Sequence, residues 1–209
     1  MMDFNNVKDR SGYLGGTDAA LVGRLGGGLR AHLNHFLRLA VAYGVLPGQY
    51  LGQVPKTEAM EAGHQFENYF FDTFKDQTAY VERQYILRKN MEGLPPLIAH
   101  ADGYDVGRGV VLELKFSRYY TTTVLKRHRW QLQWYYFLGA KEVILVHGSG
   151  ELPEDVRMSF QKVEKDAAAQ EQLTAGLCRI REMRPRIQEV AEMIELKDLE
   201  KNKNTIIHQ

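Results

Sequence analysis

Hydrophobic positions along this 209-residue chain recur with two different periods, and the switch between them outlines the fold. Residues 57–76, TEAMEAGHQFENYFFDTFKD, put Met60, Gly63, Phe66, Glu67, Phe70 and Phe74 on one stripe at spacings of three and four, which predicts a helix. LRAHLNHFLRLAVAY, residues 29–43, predicts another, with Leu29, Leu33, Phe36, Leu37 and Ala40 on its apolar stripe and His32 and His35 on its surface. Then the period drops to two. Residues 79–89 and 97–106 read as strands joined across the NMEGLPP turn, and GVVLELKF, residues 109–116, reads as a third strand entered through an Asp- and Gly-rich turn. KRHRWQLQWYYFLGA predicts a helix, and KEVILVHG and VRMSFQKV predict further strands. Two amphipathic helical runs follow, Leu173, Leu177, Ile180 and then Ile187, Val190, Ala191, Ile194, separated by Pro185 and trailed by a polar, frayed end. Strands interleaved with helices in this order predict an α/β domain with a central mixed sheet flanked by helices.

The strand GVVLELKF breaks the rule that such a strand is apolar on its buried face. Alternation sends Val110, Leu112, Leu114 and Phe116 one way and Val111, Glu113 and Lys115 the other, so a carboxylate and an ammonium share a face where desolvation is costly without partners. The preceding strand sets His100, Asp102 and Tyr104 on one face, and an antiparallel hairpin brings Asp102 towards Glu113. Two converging carboxylates repel unless a cation lies between them, and an oxygen-rich site of this kind suits Mg2+ or Mn2+. Beside a metal-bound water Lys115 could orient the attack on a phosphodiester, while a plain same-face ion pair on a surface hairpin is the bland alternative. Glu67 is the odd member of an apolar helix face, and there it must be paired, neutral or metal-bound.

Composition narrows the class. An apolar content of 44% is enough for a real core, and a chain of this length is most simply one domain over 1–209, with its core at about 10–165 and C-terminal helices at about 166–200. A net charge of +1 gives no global nucleic-acid signal, so any basic surface must be local. One such stretch exists: residues 114–141 hold no Asp or Glu but carry Lys115, Arg118, Lys126, Arg127, Arg129 and Lys141 among eight aromatics. Cations hold phosphates and aromatic faces stack on bases, which is what a nucleic-acid track needs. A single cysteine, Cys178, excludes an intrachain disulfide and reads as an inert core residue in a reducing compartment. Neither a signal-peptide core nor an apolar run long enough to span a membrane is present, so the expectation is a cytoplasmic protein.

Asp102-Gly103 followed by Glu113-Leu114-Lys115 resembles the signature of the PD-(D/E)XK nuclease superfamily, with Ala101 where proline is common. Three further motifs match. GHQFE, ending at Glu67, is similar to the GxxxE helix motif of RecB-like nucleases; Gln131 and Tyr135 match QxxxY; and RSGYLGGTDAA resembles the opening motif of the lambda-exonuclease and YqaJ branch. The resemblance implies a DNA exonuclease of the phage or prophage recombination type that depends on magnesium, with manganese as the alternative ion. In it Asp102, Glu113 and the Leu114 carbonyl bind metal, Glu67 completes the site directly or through water, and Lys115 positions the water. Gln131 would touch the substrate phosphate or support the lysine, Tyr135 would line the DNA path, and Arg10 and Thr17 would hold the 5′ phosphate, with Arg118 and Arg129 as further DNA contacts. Gly63 would let its helix approach the sheet closely. Implied partners are duplex DNA with a free 5′ end, a single-strand annealing protein and copies of the chain in a ring-shaped trimer. An endonuclease of the same superfamily, or a non-catalytic DNA-binding or assembly protein, remains an alternative.

Overall fold

The computed structural model describes residues 12–51, 57–119, 121 and 123–207, with residues 198–207 described by their backbone. A short 3-10 helix, Gly16–Asp18, runs into α1 (Ala19–Gly26), followed by α2 (Leu33–Ala42), a second 3-10 turn, Gly48–Leu51, and α3 (Glu58–Thr73). Then come β1 (Val81–Lys89), β2 (Leu97–Asp105), β3 (Val110–Ser117), α4 (Val124–Leu138), β4 (Glu142–Glu151), β5 (Asp155–Val163), α5 (Ala167–Glu182) and α6 (Arg184–Ile207). The strands form one sheet in the order β1-β2-β3-β4-β5. Neighbours are antiparallel except β3 and β4, which are parallel because α4 is the crossover between them. The predicted α/β class with a mixed sheet between helices is therefore the fold observed.

Each face of the sheet has its own core. Phe66, Phe70 and Phe71 of α3 pack on Leu114 and Val146 from one side. On the other, Leu132, Trp134 and Tyr135 of α4 lie against Ala99, Ala101, Val111, Val143 and Leu145, with α1, α2, α5 and α6 behind them. Local signals fix the helix ends: Thr57 Oγ1 accepts the Met60 amide, Asp166 Oδ1 accepts the Ala169 amide, and Gly139, at φ 111°, closes α4 in a conformation that favours glycine.

Several expectations shift. The α2 helix starts only at Leu33, and Leu29 and Leu33 are exposed; Phe36, Leu39 and Ala40 make the buried stripe, because the chain is still extended at His32 and the face presented is the one that meets α6. A Cβ on Gly63 would touch nothing, so that glycine does not bring α3 to the sheet. The close approach is made at Gly148 of β4, where a Cβ would fall within the Phe66 ring. The last helix continues to Ile207 beyond the predicted fraying, with Pro185 as its second residue, a position that needs no amide donor. Cys178 is free and half-buried rather than a core residue. Among the described residues, no helix is long and apolar enough to cross a membrane.

Helices α1 and α5 touch backbone to backbone. A Cβ on Gly176 would collide with the Val22 carbonyl, and one on Gly26 with the Gln172 carbonyl. Neither obstacle is the end of a flexible side chain, so the helices would have to separate. Gly176→Ala is expected to lower stability by about 1–3 kcal/mol, measured as an earlier urea midpoint at unchanged slope.

Candidate active site

Strands β2 and β3 pair only through Gly103–Leu112, Tyr104–Val111 and Asp105–Val110. Where the ladder stops, the Asp102 carboxylate takes its place: Oδ2 accepts the Leu114 amide at 2.7 Å. The neighbouring strand is irregular at the same level. Gln84, bracketed by the Arg83–Gly103 and Tyr85–Ala101 pairs, has φ 53°. Strict alternation on β2 breaks here as well, since Ala101 and Tyr104, three residues apart, both pack into the α4-side core, where Tyr104 stacks on Tyr85. His100, Asp102 and Tyr104 therefore do not share one face as alternation predicts; the interruption is what releases the Asp102 carboxylate from the plain pleat.

Glu113 is the centre of the arrangement. It is 1% exposed and both carboxylate oxygens are engaged. Lys115 Nζ donates to Oε1, and Gln131 Nε2 donates to the same oxygen at 2.6 Å. The Tyr135 hydroxyl sits between Oε2 and the His100 carbonyl oxygen, the latter at 2.8 Å. Gln131 and Tyr135, one helical turn apart on α4, thus act on the same carboxylate, as the QxxxY spacing allows. Tyr135 itself is fully buried, so it does not line a DNA path; it fixes Glu113 from within the core. Tyr135→Phe removes that hydroxyl without opening a cavity and is expected to cost about 1–3 kcal/mol, read as a lower melting temperature.

Electrostatics follow from burial and crowding. Burial, then the Glu113 charge, push the Asp102 carboxyl well above the usual aspartate range. Burial alone would lower the Lys115 pKa, but Glu113, Asp102 and Glu67 outweigh it and hold the ammonium above the ordinary lysine range. Lys115 is the hydrogen-bond donor and counter-charge to Glu113. Burial raises the Tyr135 phenol well above its normal value, and Glu113 and Asp102 add to the effect.

The remaining residues named from the sequence fall in different places. Glu67 of α3 accepts from Gln84 Nε2 at 2.9 Å, lies 3.7 Å from His64 Nδ1, and is raised in pKa by burial. It faces the site from across the sheet, close enough for Lys115 and Glu113 to act on its charge. Thr17 is exposed, in the 3-10 turn whose Gly16 packs beside Gln131 and Trp134. Next to it Asp18 is the residue before α1, and its carboxylate turns away from that helix: it accepts the Gly15 amide at 2.8 Å and pairs with Arg38 through two hydrogen bonds of 2.7 and 2.5 Å. Arg10 lies outside the described residues. Arg129 is paired with Asp166 at 2.6 Å and Arg118 faces Glu151 at 3.7 Å, whereas the exposed Lys126 and Arg127 form no salt bridge with any described residue. Asp105 is spent on the hairpin turn, where it accepts the Arg108 amide.

Sequence reasoning passed over Gln84, Arg38 and His128. His128, a turn before Gln131 on α4, is half-buried and within reach of the charges of Lys115 and Glu113. Its spacing of three from Gln131 was the available signal; for Gln84 and Arg38 nothing short of the fold identifies the partner.

Among the described residues, no three His, Cys, Asp or Glu side chains are grouped so as to hold a metal ion. Glu67 is thus not assembled with Asp102 and Glu113 as a third carboxylate. Two acids with a backbone carbonyl nonetheless fit Mg2+, which commonly takes one or two carboxylates and keeps several waters.

A mixed sheet carries the Asp-Glu-Lys group on its second and third strands, with the crossover helix α4 packed over Glu113, in an α/β fold. No protein-family model matches the chain, and no curated protein does. Solved structures do share the fold. The alkaline exonuclease LHK-Exo from Laribacter hongkongensis, in complex with dAMP, is similar at 16% identity and a TM-score of 0.61, over 91% of this chain and 95% of that one. A phage-related exonuclease from Haemophilus somnus 129PT is similar at 8% identity and a TM-score of 0.53, over 84% of this chain and 96% of that one.

Proposed function

We propose that this chain is a divalent-metal-dependent deoxyribonuclease, working in the cytoplasm as a phage- or prophage-type exonuclease that resects duplex DNA from a 5′ end during recombination. The observation that carries the reading is a buried carboxylate, Glu113, held by Lys115, Gln131 and Tyr135 and set beside Asp102. A structural ion pair requires one partner; three donors converging on one carboxylate, with a second acid alongside, is the organisation of a catalytic group. Similarity in fold to structures named as exonucleases, one of them holding dAMP, favours the same chemistry and a DNA substrate.

Asp102, Glu113 and the Leu114 carbonyl would hold Mg2+ or Mn2+, with Glu67 linked through water. When bound, such a cation supplies charge neutralisation at the phosphate and an acidified water. The chain's own residues do the rest. Lys115 would donate hydrogen bonds to the attacking oxygen or the phosphate. Gln131 and Tyr135 keep Glu113 in one orientation, so its position costs no reorganisation during the reaction. Lys126 and Arg127 are free of acidic partners among the described residues and would hold the DNA backbone. Thr17, in a glycine turn packed beside Gln131, would receive the terminal 5′ phosphate with Arg10. The resemblance to the lambda-exonuclease branch adds a ring-shaped trimer and a strand-annealing partner to the proposal.

The test is incubation of linear and closed circular duplex DNA with magnesium or with chelator. Magnesium-dependent loss of the linear form alone is expected, faster on 5′-phosphorylated ends in the wild type and equally fast on both ends in Thr17→Ala. Cutting of the circle would replace the exonuclease by an endonuclease. DNA that is bound and left intact would leave a binding protein in its place.

A further inference from the structure

A cavity of about 290 Å3 lies between β4, β5 and the start of α4, outside the group centred on Glu113. Val124, Leu125 and Leu145 give it an apolar wall, and Thr121, His147, Ser159 and Gln161 give it hydrogen-bonding groups. None of the four is an acid, a lysine or an arginine, although the surrounding segment, residues 114–141, carries six lysines and arginines. The imidazole does not alter this: His147 is 4% exposed, burial lowers its pKa, and its Nε2 is bonded to Ser117 Oγ at 2.8 Å. An uncharged, half-apolar recess suits an uncharged, flat, polar-edged group. It suits neither a phosphate nor a metal ion.

Its location narrows the group further. In the parallel β3–β4 register Leu145 stands opposite Glu113, and His147 stands opposite Lys115. Adjacent strands are about 4.8 Å apart, so the floor of the cavity is one strand away from Glu113 and Lys115. Ligand pockets run from about 300 to 1,000 Å3, and a volume at the bottom of that range admits one ring system.

We propose that this cavity receives the base of an unpaired nucleotide next to the bond that is cut, with its faces on Val124, Leu125 and Leu145 and its edge on Ser159 and Gln161. The proposal rests on the nuclease reading for the position of the cut, but the cavity can be tested without cutting. A base pair is too large to enter, so the nucleotide must leave the duplex before it binds.

Two measurements decide it. First, thymidine and 2′-deoxyadenosine are titrated into the full chain by amide NMR without metal, beside Ser159→Phe, which fills the cavity from the edge strand, with the melting temperature as a folding control. Saturable shifts confined to 121–125, 145–147 and 159–161, absent in the variant, are expected; no shifts, or shifts that survive in Ser159→Phe, overturn the proposal whether or not the chain cuts DNA. Second, kcat/KM on DNA with an abasic nucleotide beside the cut is expected to be about tenfold lower than on normal DNA in the wild type, and equal on both in Ser159→Phe. Equal rates in the wild type overturn it. Nucleoside binding by a chain that cuts no DNA would support the cavity while removing the nuclease.

Discussion

Glu113→Gln is expected to abolish magnesium-dependent loss of linear DNA, lowering kcat by at least about a thousandfold. Several kcal/mol of charge stabilisation by a bound cation are lost with the carboxylate, and each 1.36 kcal/mol is about a factor of ten in rate. The same change has a structural signature. Lys115 and Gln131 both donate to the oxygen that becomes an amide, so a buried ammonium loses its nearest counter-charge. Breaking a buried pair from one side costs about 3–5 kcal/mol, which for a chain of this size lowers the melting temperature by roughly 10 °C. Asp102→Asn provides the contrast: its Oδ2 contact to the Leu114 amide can be kept by an amide oxygen, and removing a crowded acid relieves repulsion, so activity should fall with little loss of stability. Full activity in both variants would end the catalytic reading.

Lys115→Ala has the second largest effect, and its size depends on magnesium. Without the ammonium, Asp102 and Glu113 face one another with no cation between them, so the metal-free protein should melt several degrees below the wild type. Magnesium then has more to offset. A ligand bound only by the folded state stabilises by about 2.7 kcal/mol at a hundred times its Kd, and the rise in melting temperature on adding magnesium should be larger in Lys115→Ala than in the wild type. Cutting should be lost in either case, because the charge that orients the attacking oxygen is gone. If magnesium moves the melting temperature of neither protein, the two acids are a structural pair with the lysine and no metal site.

The candidate site was legible in the sequence in its strands and poorly legible in its supports. Glu113 and Lys115 stand out because their strand is otherwise largely apolar and meet as alternation predicts, whereas Asp102, brought near by the hairpin, reaches the Leu114 amide only because the alternation of its own strand is interrupted. The spacing of Gln131 and Tyr135 likewise reports a shared helix face. It does not report which way that face points, and Tyr135 turned out to be a core residue rather than a surface one. Pairwise spacing fixes neighbours within an element, whereas burial is a property of what packs on top. The Gly63 expectation failed for a similar reason: α3 has room at its glycine, and the tight contact depends on Gly148 of a strand more than 80 residues away.

By itself, the sequence determined the α/β class, the order of strands and helices, and the acid-acid-lysine group, because periods of two and of about 3.6 residues and the high cost of buried charge are local facts. Only the tertiary structure decided that one carboxylate gathers three donors from β3 and α4, that Gln84 of β1 reaches Glu67 of α3, and that Arg38 neutralises Asp18 beside the glycine turn. Those pairings join residues from 17 to 22 positions apart wherever they leave their own strand, and their distances are set by how helices pack on the sheet. Packing depends on the shapes of all the surfaces at once, which no single stretch of sequence encodes.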